Sequence, residues 1–241
     1  MIELHALTCN YNEKVILQDM TLSIPSHVSI LGANGSGKST LAKTICNMIT
    51  YHGKIIVDGK DIQTYTGKEK AKKIAYIPTK LDFYDEFLTL EEFVLLGRFS
   101  HKKNFFDYSF YDKQIAQEQM ESLNIIHLKK HTLSSLSSGE TALALMAQAL
   151  TQESEIIIFD EPTANLDPKN SKIIAQHIKK LKQTHQTVVI THDIHFARFL
   201  DNHVLFLQEK KALYFKDDFF TDTTLSKLYG VAFSSLDVCY E

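Results

Sequence analysis

The sequence predicts an α/β fold, a mostly parallel sheet covered by helices on both faces and closed around a phosphate-binding loop. Three observations carry this reading. The run Gly32-Ala33-Asn34-Gly35-Ser36-Gly37-Lys38-Ser39-Thr40 fits the pattern G-x-x-x-x-G-K-[ST] in full. His27-Val28-Ser29-Ile30-Leu31 before it reads as a buried strand, and Leu41-Ala42-Lys43-Thr44-Ile45-Cys46 after it as a helix. Further on, Ile156-Ile157-Ile158-Phe159 and Val188-Val189-Ile190 are continuous apolar runs on either side of the helical spacing Ile173, Ile174, Ile178, Leu181. Strands buried on both faces of a parallel sheet have that composition.

Taken in order, short alternating or apolar runs at 2–9, 14–24, 27–31, 53–58 and 73–78, punctuated by Pro25, Gly53 and Asp58-Gly59, make the first third mostly strand. Between 88 and 150 the apolar spacing turns helical, with Leu90, Phe93, Val94 and Leu96-Gly97 in one segment and Ile115, Met120 and Leu123 in another. We therefore expect one domain over 1–241, in which 1–87 and 151–241 form the nucleotide core and 88–150 an inserted helical lobe. From about 217 the sequence carries no readable pattern.

With 241 residues and 44% hydrophobic content the chain has material for a real core. A net charge of −3 gives no basic field for nucleic acid, which is not an expected partner. Cys9, Cys46 and Cys239 lack metal spacing and suit free thiols in a reducing compartment, so a cytoplasmic location is expected. No apolar run reaches the length of a membrane span, and Met1-Ile2-Glu3-Leu4-His5 lacks the start of a signal peptide, so any membrane contact goes through a partner.

The chemistry follows from residue types. Gly32, Gly35 and Gly37 let a backbone curl until successive N–H groups face a β-phosphate. Lys38 supplies a point charge to the β and γ oxygens, Ser39 offers a hydroxyl to Mg²⁺, and a helix starting near Lys38 directs its positive end at the same phosphates. Asp160 and Glu161 directly follow a buried strand, where ligands of parallel sheets gather. Asp160 suits the metal through water, and Glu161 suits the water that attacks the γ-phosphate. Leu136-Ser137-Ser138-Gly139-Glu140 precedes an apolar helix, so its serines are either an anion site or a plain cap. His192 follows the apolar strand 187–190 and is placed to reach the same cleft.

The order of these segments, with Asp160-Glu161-Pro162-Thr163-Ala164-Asn165-Leu166-Asp167 and Thr191-His192-Asp193 completing it, resembles the ATP-binding-cassette (ABC) ATPases over nearly the whole chain. The resemblance implies a P-loop NTPase core with a mostly parallel sheet, an N-terminal antiparallel β subdomain and an inserted α-helical lobe. It also implies a head-to-tail homodimer, with ATP held between the phosphate loop of one subunit (Gly32, Asn34, Gly35, Ser36, Gly37, Lys38, Ser39, Thr40) and Ser137, Ser138, Gly139 and Glu140 of the other. Tyr11 then looks like the aromatic that stacks on adenine, Asp167 like an interface residue and His192 like the γ-phosphate switch.

Two positions depart from the family pattern. Thr79 stands where the family carries a glutamine that touches Mg²⁺ and the attacking water, and Ser138 replaces the first of two glycines, so a Cβ there is expected to crowd the facing phosphates if the backbone needs a glycine-only conformation.

The segment Leu88-Thr89-Leu90-Glu91-Glu92-Phe93-Val94-Leu95-Leu96-Gly97-Arg98 looks like one in ATPases of bacterial metal-chelate importers, and Phe105-Phe106-Asp107-Tyr108-Ser109-Phe110-Tyr111 adds five aromatics in seven residues. The expectation is an ATP- and Mg²⁺-dependent hydrolase on the cytoplasmic face of the membrane. It would drive uptake of an iron or other metal chelate (siderophore, haem or cobalamin) through permease subunits served by a substrate-binding protein. A slow-turnover nucleotide-gated clamp and a non-transport ABC ATPase are the alternatives.

Overall fold

The computed structural model describes residues 1–11, 14–80, 86–102 and 108–233, the side chain of Tyr11 excepted. Strands β1 (Ile2–Tyr11) and β2 (Lys14–Ile24) precede β3 (His27–Gly32), helix α1 (Lys38–Ile45), β4 (His52–Val57) and β5 (Lys60–Asp61). Helix α2 (Gly67–Lys73) leads into β6 (Ile74–Ile77). The strand expected over 73–78 is thus shorter at both ends. Its first residue belongs to a helix that Thr66 and Glu69 start by exchanging side-chain and backbone hydrogen bonds.

Helices α3 (Leu90–Leu95), α4 (Phe110–Ser122) and α5 (Ser138–Thr151) open on the same device, with Thr89 and Glu92, Ser109 and Asp112, and Ser137 and Glu140 as the reciprocal pairs. The chain then runs through β7 (Ile156–Asp160), α6 (Pro168–Leu181), β8 (Gln186–Ile190) and α7 (Ile194–Leu200) to β9 (His203–Gln208), β10 (Lys211–Phe215) and α8 (Asp222–Tyr229).

Among the described residues the strands form two sheets. One is antiparallel, ordered β2-β1-β4-β5; the other runs β10-β9-β3-β8-β7-β6 and is parallel except for the β9–β10 hairpin. The unbroken apolar runs of β7 and β8 serve two cores at once, because alternate side chains leave opposite faces of a strand. Ile156, Ile158, Val188 and Ile190 pack with Leu41, Ala42 and Ile45 of α1 and with Ile2 and Leu4 of the antiparallel sheet. Ile157, Phe159 and Val189 pack instead with Phe93, Met120, Leu145 and Ile174, joining α3, α4, α5 and α6 in one cluster. Each of these buried side chains larger than alanine contributes on the order of 2 kcal/mol. The parallel order places the carboxyl ends of β3, β7 and β8 side by side at one edge of the sheet.

Candidate nucleotide site

Gly32, Asp160 and Ile190 end those three strands, and the residues just beyond them meet. The loop after β3 closes on itself, the Ser36 N–H donating to the Ala33 carbonyl at 3.1 Å. Gly32 and Gly37 hold φ of +147° and +101°. A Cβ at Gly32 would lie 2.5 Å from the Leu207 carbonyl oxygen and one at Gly37 would lie 2.9 Å from Ile16 Cγ2, so conformation and space both demand glycine. Asn34 and Gly35 stand exposed at the lip of the loop, and Thr40 continues α1.

Lys38 is 7% exposed, and its amine donates to the Gly32 and Ala33 carbonyls at 2.9 and 3.1 Å. Burial lowers its pKa, while Glu161 and Asp160 pull it back up. Asp160, 3% exposed, is a buried carboxylate that needs a donor for each oxygen. The Ser39 hydroxyl donates to Oδ1 at 2.9 Å and the Tyr76 hydroxyl to Oδ2 at 2.7 Å. Burial, and then this carboxylate, push the Cys46 thiol up to about 12, and burial followed by the Asp160 bond raises Tyr76.

Glu161 bridges two strands. Its N–H donates to the Ile190 carbonyl at 2.9 Å, and its Oε2 accepts the His192 N–H at 3.3 Å and lies 2.8 Å from His192 Nδ1. The glutamate and the histidine are therefore one hydrogen-bonded unit, with the ring exposed.

Facing them, Ser137 caps α5, and its hydroxyl and N–H hold the Glu140 carboxylate below the usual range. Ser138 is the first helical residue, exposed and without a positive φ. The backbone there has no need of glycine, so the condition under which the Ser138 Cβ would crowd the phosphates is not met; the close approach falls one residue later, where a Cβ on Gly139 would lie 2.6 Å from Asn170 Cγ. Asn170 in turn donates from its backbone at 2.9 Å and from its amide at 2.7 Å to Asp167, the cap of α6, which these bonds keep well ionised. Thr79, just past β6, lines a cavity of about 280 Å³ with Ser138, Thr141 and Glu161. Ser39 and Thr40 open on a second cleft of about 680 Å³ with Asn10, Lys43 and Asn47. The ring of Tyr11 lies outside the described residues, as do Phe105, Phe106 and Asp107; Phe110 and Tyr111 are exposed.

Sequence reasoning brought Lys38, Ser39, Asp160, Glu161 and His192 to one cleft and missed two contacts in it, Tyr76 on Asp160 and Glu161 on His192. The signal for the first was a lone hydroxyl in the apolar run Ile74-Ala75-Tyr76-Ile77.

A glycine-bound phosphate loop, a serine bonded to a buried strand-end aspartate and a glutamate beside it define a P-loop nucleoside triphosphatase. The ABC transporter family profile matches residues 17–164, and the chain belongs to that family. It is 29% identical over 238 residues to the ferric enterobactin transport ATP-binding protein FepC of Escherichia coli K12, covering 96% of this chain and 88% of that one. It is 31% identical over 235 residues to the manganese transport system ATP-binding protein MntB of Bacillus subtilis 168, covering 95% and 92%. Among solved structures, the dimeric post-hydrolysis state of the ATP-binding cassette MJ0796, bound to ADP and Pi, superposes with a TM-score of 0.76 at 27% identity, over 88% of this chain and 96% of that one.

Proposed function

We propose that this chain is the ATP-hydrolysing subunit of an importer for an iron or other metal chelate, acting as a homodimer on the cytoplasmic face of a membrane beneath separate permease subunits. The observation that carries the catalytic part is the convergence of Lys38, Ser39, Asp160 and the Glu161–His192 pair at one sheet edge. The cargo rests on likeness to relatives named for iron-chelate and manganese transport.

Lys38 exchanges the Gly32 and Ala33 carbonyls for the β and γ oxygens of ATP, while the loop N–H groups and the start of α1 hold the same phosphates. The oxygen donors of Ser39 and Asp160, all hard and already in contact, fit a Mg²⁺ ion. Bound there with ATP, Mg²⁺ would neutralise charge on the β and γ oxygens. The Glu161 carboxylate accepts a proton from the attacking water, and His192 orients that carboxylate and faces the γ-phosphate. Ser137, Ser138, Gly139, Glu140 and Asp167 meet the nucleotide of the partner subunit, and the Tyr11 ring stacks on adenine. With Mg²⁺ bound, Thr79 would contact it and the attacking water only through a further water.

Among the described residues no helix is long and apolar enough to cross a membrane. A groove of about 700 Å³ lined by Lys68, Ala71, Leu96, Phe99 and Gln152 offers the permease an apolar seat, with Leu96 and Phe99 45% and 62% exposed. A substrate-binding protein would act on the far side and not on this chain.

Glu161→Gln tests the reading. ATP still binds, γ-phosphate cleavage slows by on the order of a hundredfold, and light scattering detects an ATP-dependent dimer. Wild-type turnover in that variant would overturn the assignment of Glu161. Co-purification with a many-spanning permease encoded beside it, lost on Phe99→Asp, tests the importer.

A further inference from the structure

β6 is the edge strand of the parallel sheet, and its register sets Tyr76 beside Ile158 of β7. Tyr76 therefore shares the face of Ile156 and Ile158, the face on which Asp160 also lies two residues on. Two residues of strand are about 6.6 Å, the span a tyrosine side chain covers. The ring packs against the aliphatic cluster under α1, where a phenylalanine would pack equally well. Only the hydroxyl distinguishes the two, and it donates to Asp160 Oδ2 at 2.7 Å.

The other oxygen of Asp160 accepts from Ser39. A carboxylate held at one oxygen alone rotates about its terminal bond, a broad and soft torsion. Held at both, it keeps Oδ1 aimed at Ser39, so the serine hydroxyl spends its proton on Asp160 and turns its lone pairs outward to the loop. That orientation is what a cation ligand requires.

We propose that Tyr76 is a positioning residue: its phenol locks the Asp160 carboxylate so that Ser39 presents its lone pairs to the divalent cation that accompanies ATP. The role rests on the reading of Ser39 and Asp160 as the cation-side donors, and it works through those residues without touching nucleotide.

The test measures how much a divalent cation improves nucleotide affinity, in the Glu161→Gln background so that ATP is not consumed. A fluorescent ATP analogue is titrated in excess EDTA and in excess Mg²⁺, and again in Mn²⁺, whose protein-bound electron paramagnetic resonance spectrum reports the ligand field directly. Adding Tyr76→Phe should leave the EDTA affinity within about twofold and cut the divalent-dependent gain by about tenfold, the size of one hydrogen bond to a charged group. The Mn²⁺ spectrum should change with it. Ser39→Ala should abolish the gain. If Tyr76→Phe matches its parent in both media, or loses affinity equally in both, Tyr76 only packs and the inference is overturned, while loss in Ser39→Ala leaves the site reading standing. If Ser39→Ala and Asp160→Asn also keep the full gain, the cation-side reading falls and takes the role of Tyr76 with it.

Discussion

At position 79 a threonine lines the cavity of about 280 Å³ that Glu161 and Ser138 also bound. A glutamine reaches into that space without displacing core side chains, since Thr79 itself is exposed just past the strand end. Thr79→Gln should therefore raise basal turnover about fivefold, a direct hydrogen bond worth on the order of 1 kcal/mol replacing a mobile water bridge. Steady-state ATPase rates at saturating MgATP decide it; a level or falling rate removes the case that Thr79 limits hydrolysis. At this scale the sequence was most legible where spacing is rigid, as in Gly32 to Ser39, since a phosphate loop is contiguous and its geometry is set by its own residues. Tyr76 escaped because its partner lies on another strand, and only the β6–β7 register brings them together.

Among the elements, the lobe helices were readable from their apolar spacing, and the structure adds that each also carries its own start signal, a hydroxyl residue followed three positions later by an acid. The β9–β10 hairpin was not. Its turn residues Glu209 and Lys210 take φ of +50° and +66°, positions where glycine or asparagine normally advertises a hairpin. Within the lobe, the segment 96–101 is fastened to the end of α5. Arg98, 3% exposed, bonds Asp112, the Thr151 carbonyl and Glu153. Gly97 touches the helix backbone so closely that a Cβ would lie 2.3 Å from the Gln148 carbonyl oxygen. Gly97→Ala should force these elements apart and cost about 2 kcal/mol, which for a chain of this size is a fall in Tm of about 6 °C. An unchanged melting curve would mean that the segment yields at no cost.

On the scale of the whole molecule the two sheets are tied together by charge. Asp58, in the turn after β4, accepts from the Met1 ammonium at 2.8 Å and from Lys73 at 3.0 Å, and Lys73 also holds Glu155, just before β7, at 2.6 Å. The N-terminal ammonium and Lys73 hold the Asp58 carboxyl down to about 2. A depressed folded pKa means stability that is present in full above the ordinary value of 3.8 and is lost as the pH falls through about 2. Asp58→Asn should thus lower the urea midpoint at pH 7 by the equivalent of at most about 1 kcal/mol, since solvent screens a pair this exposed, and the difference from wild type should shrink as the pH falls below 4 and be mostly gone by pH 2. A gap as large at pH 2 as at pH 7 would show that the amide is harmful for another reason. No local pattern could have announced this tie, which joins residues 1, 58, 73 and 155.

Stability and chemistry part company at Glu161, whose φ of +52° is a conformation that asparagine or glycine adopts readily and glutamate does not. A lineage selected for heat resistance alone would drift away from glutamate at this position and lose its proposed base on the way. On its proposed role, selection on the reaction would hold the residue there against the folding preference of the chain that carries it.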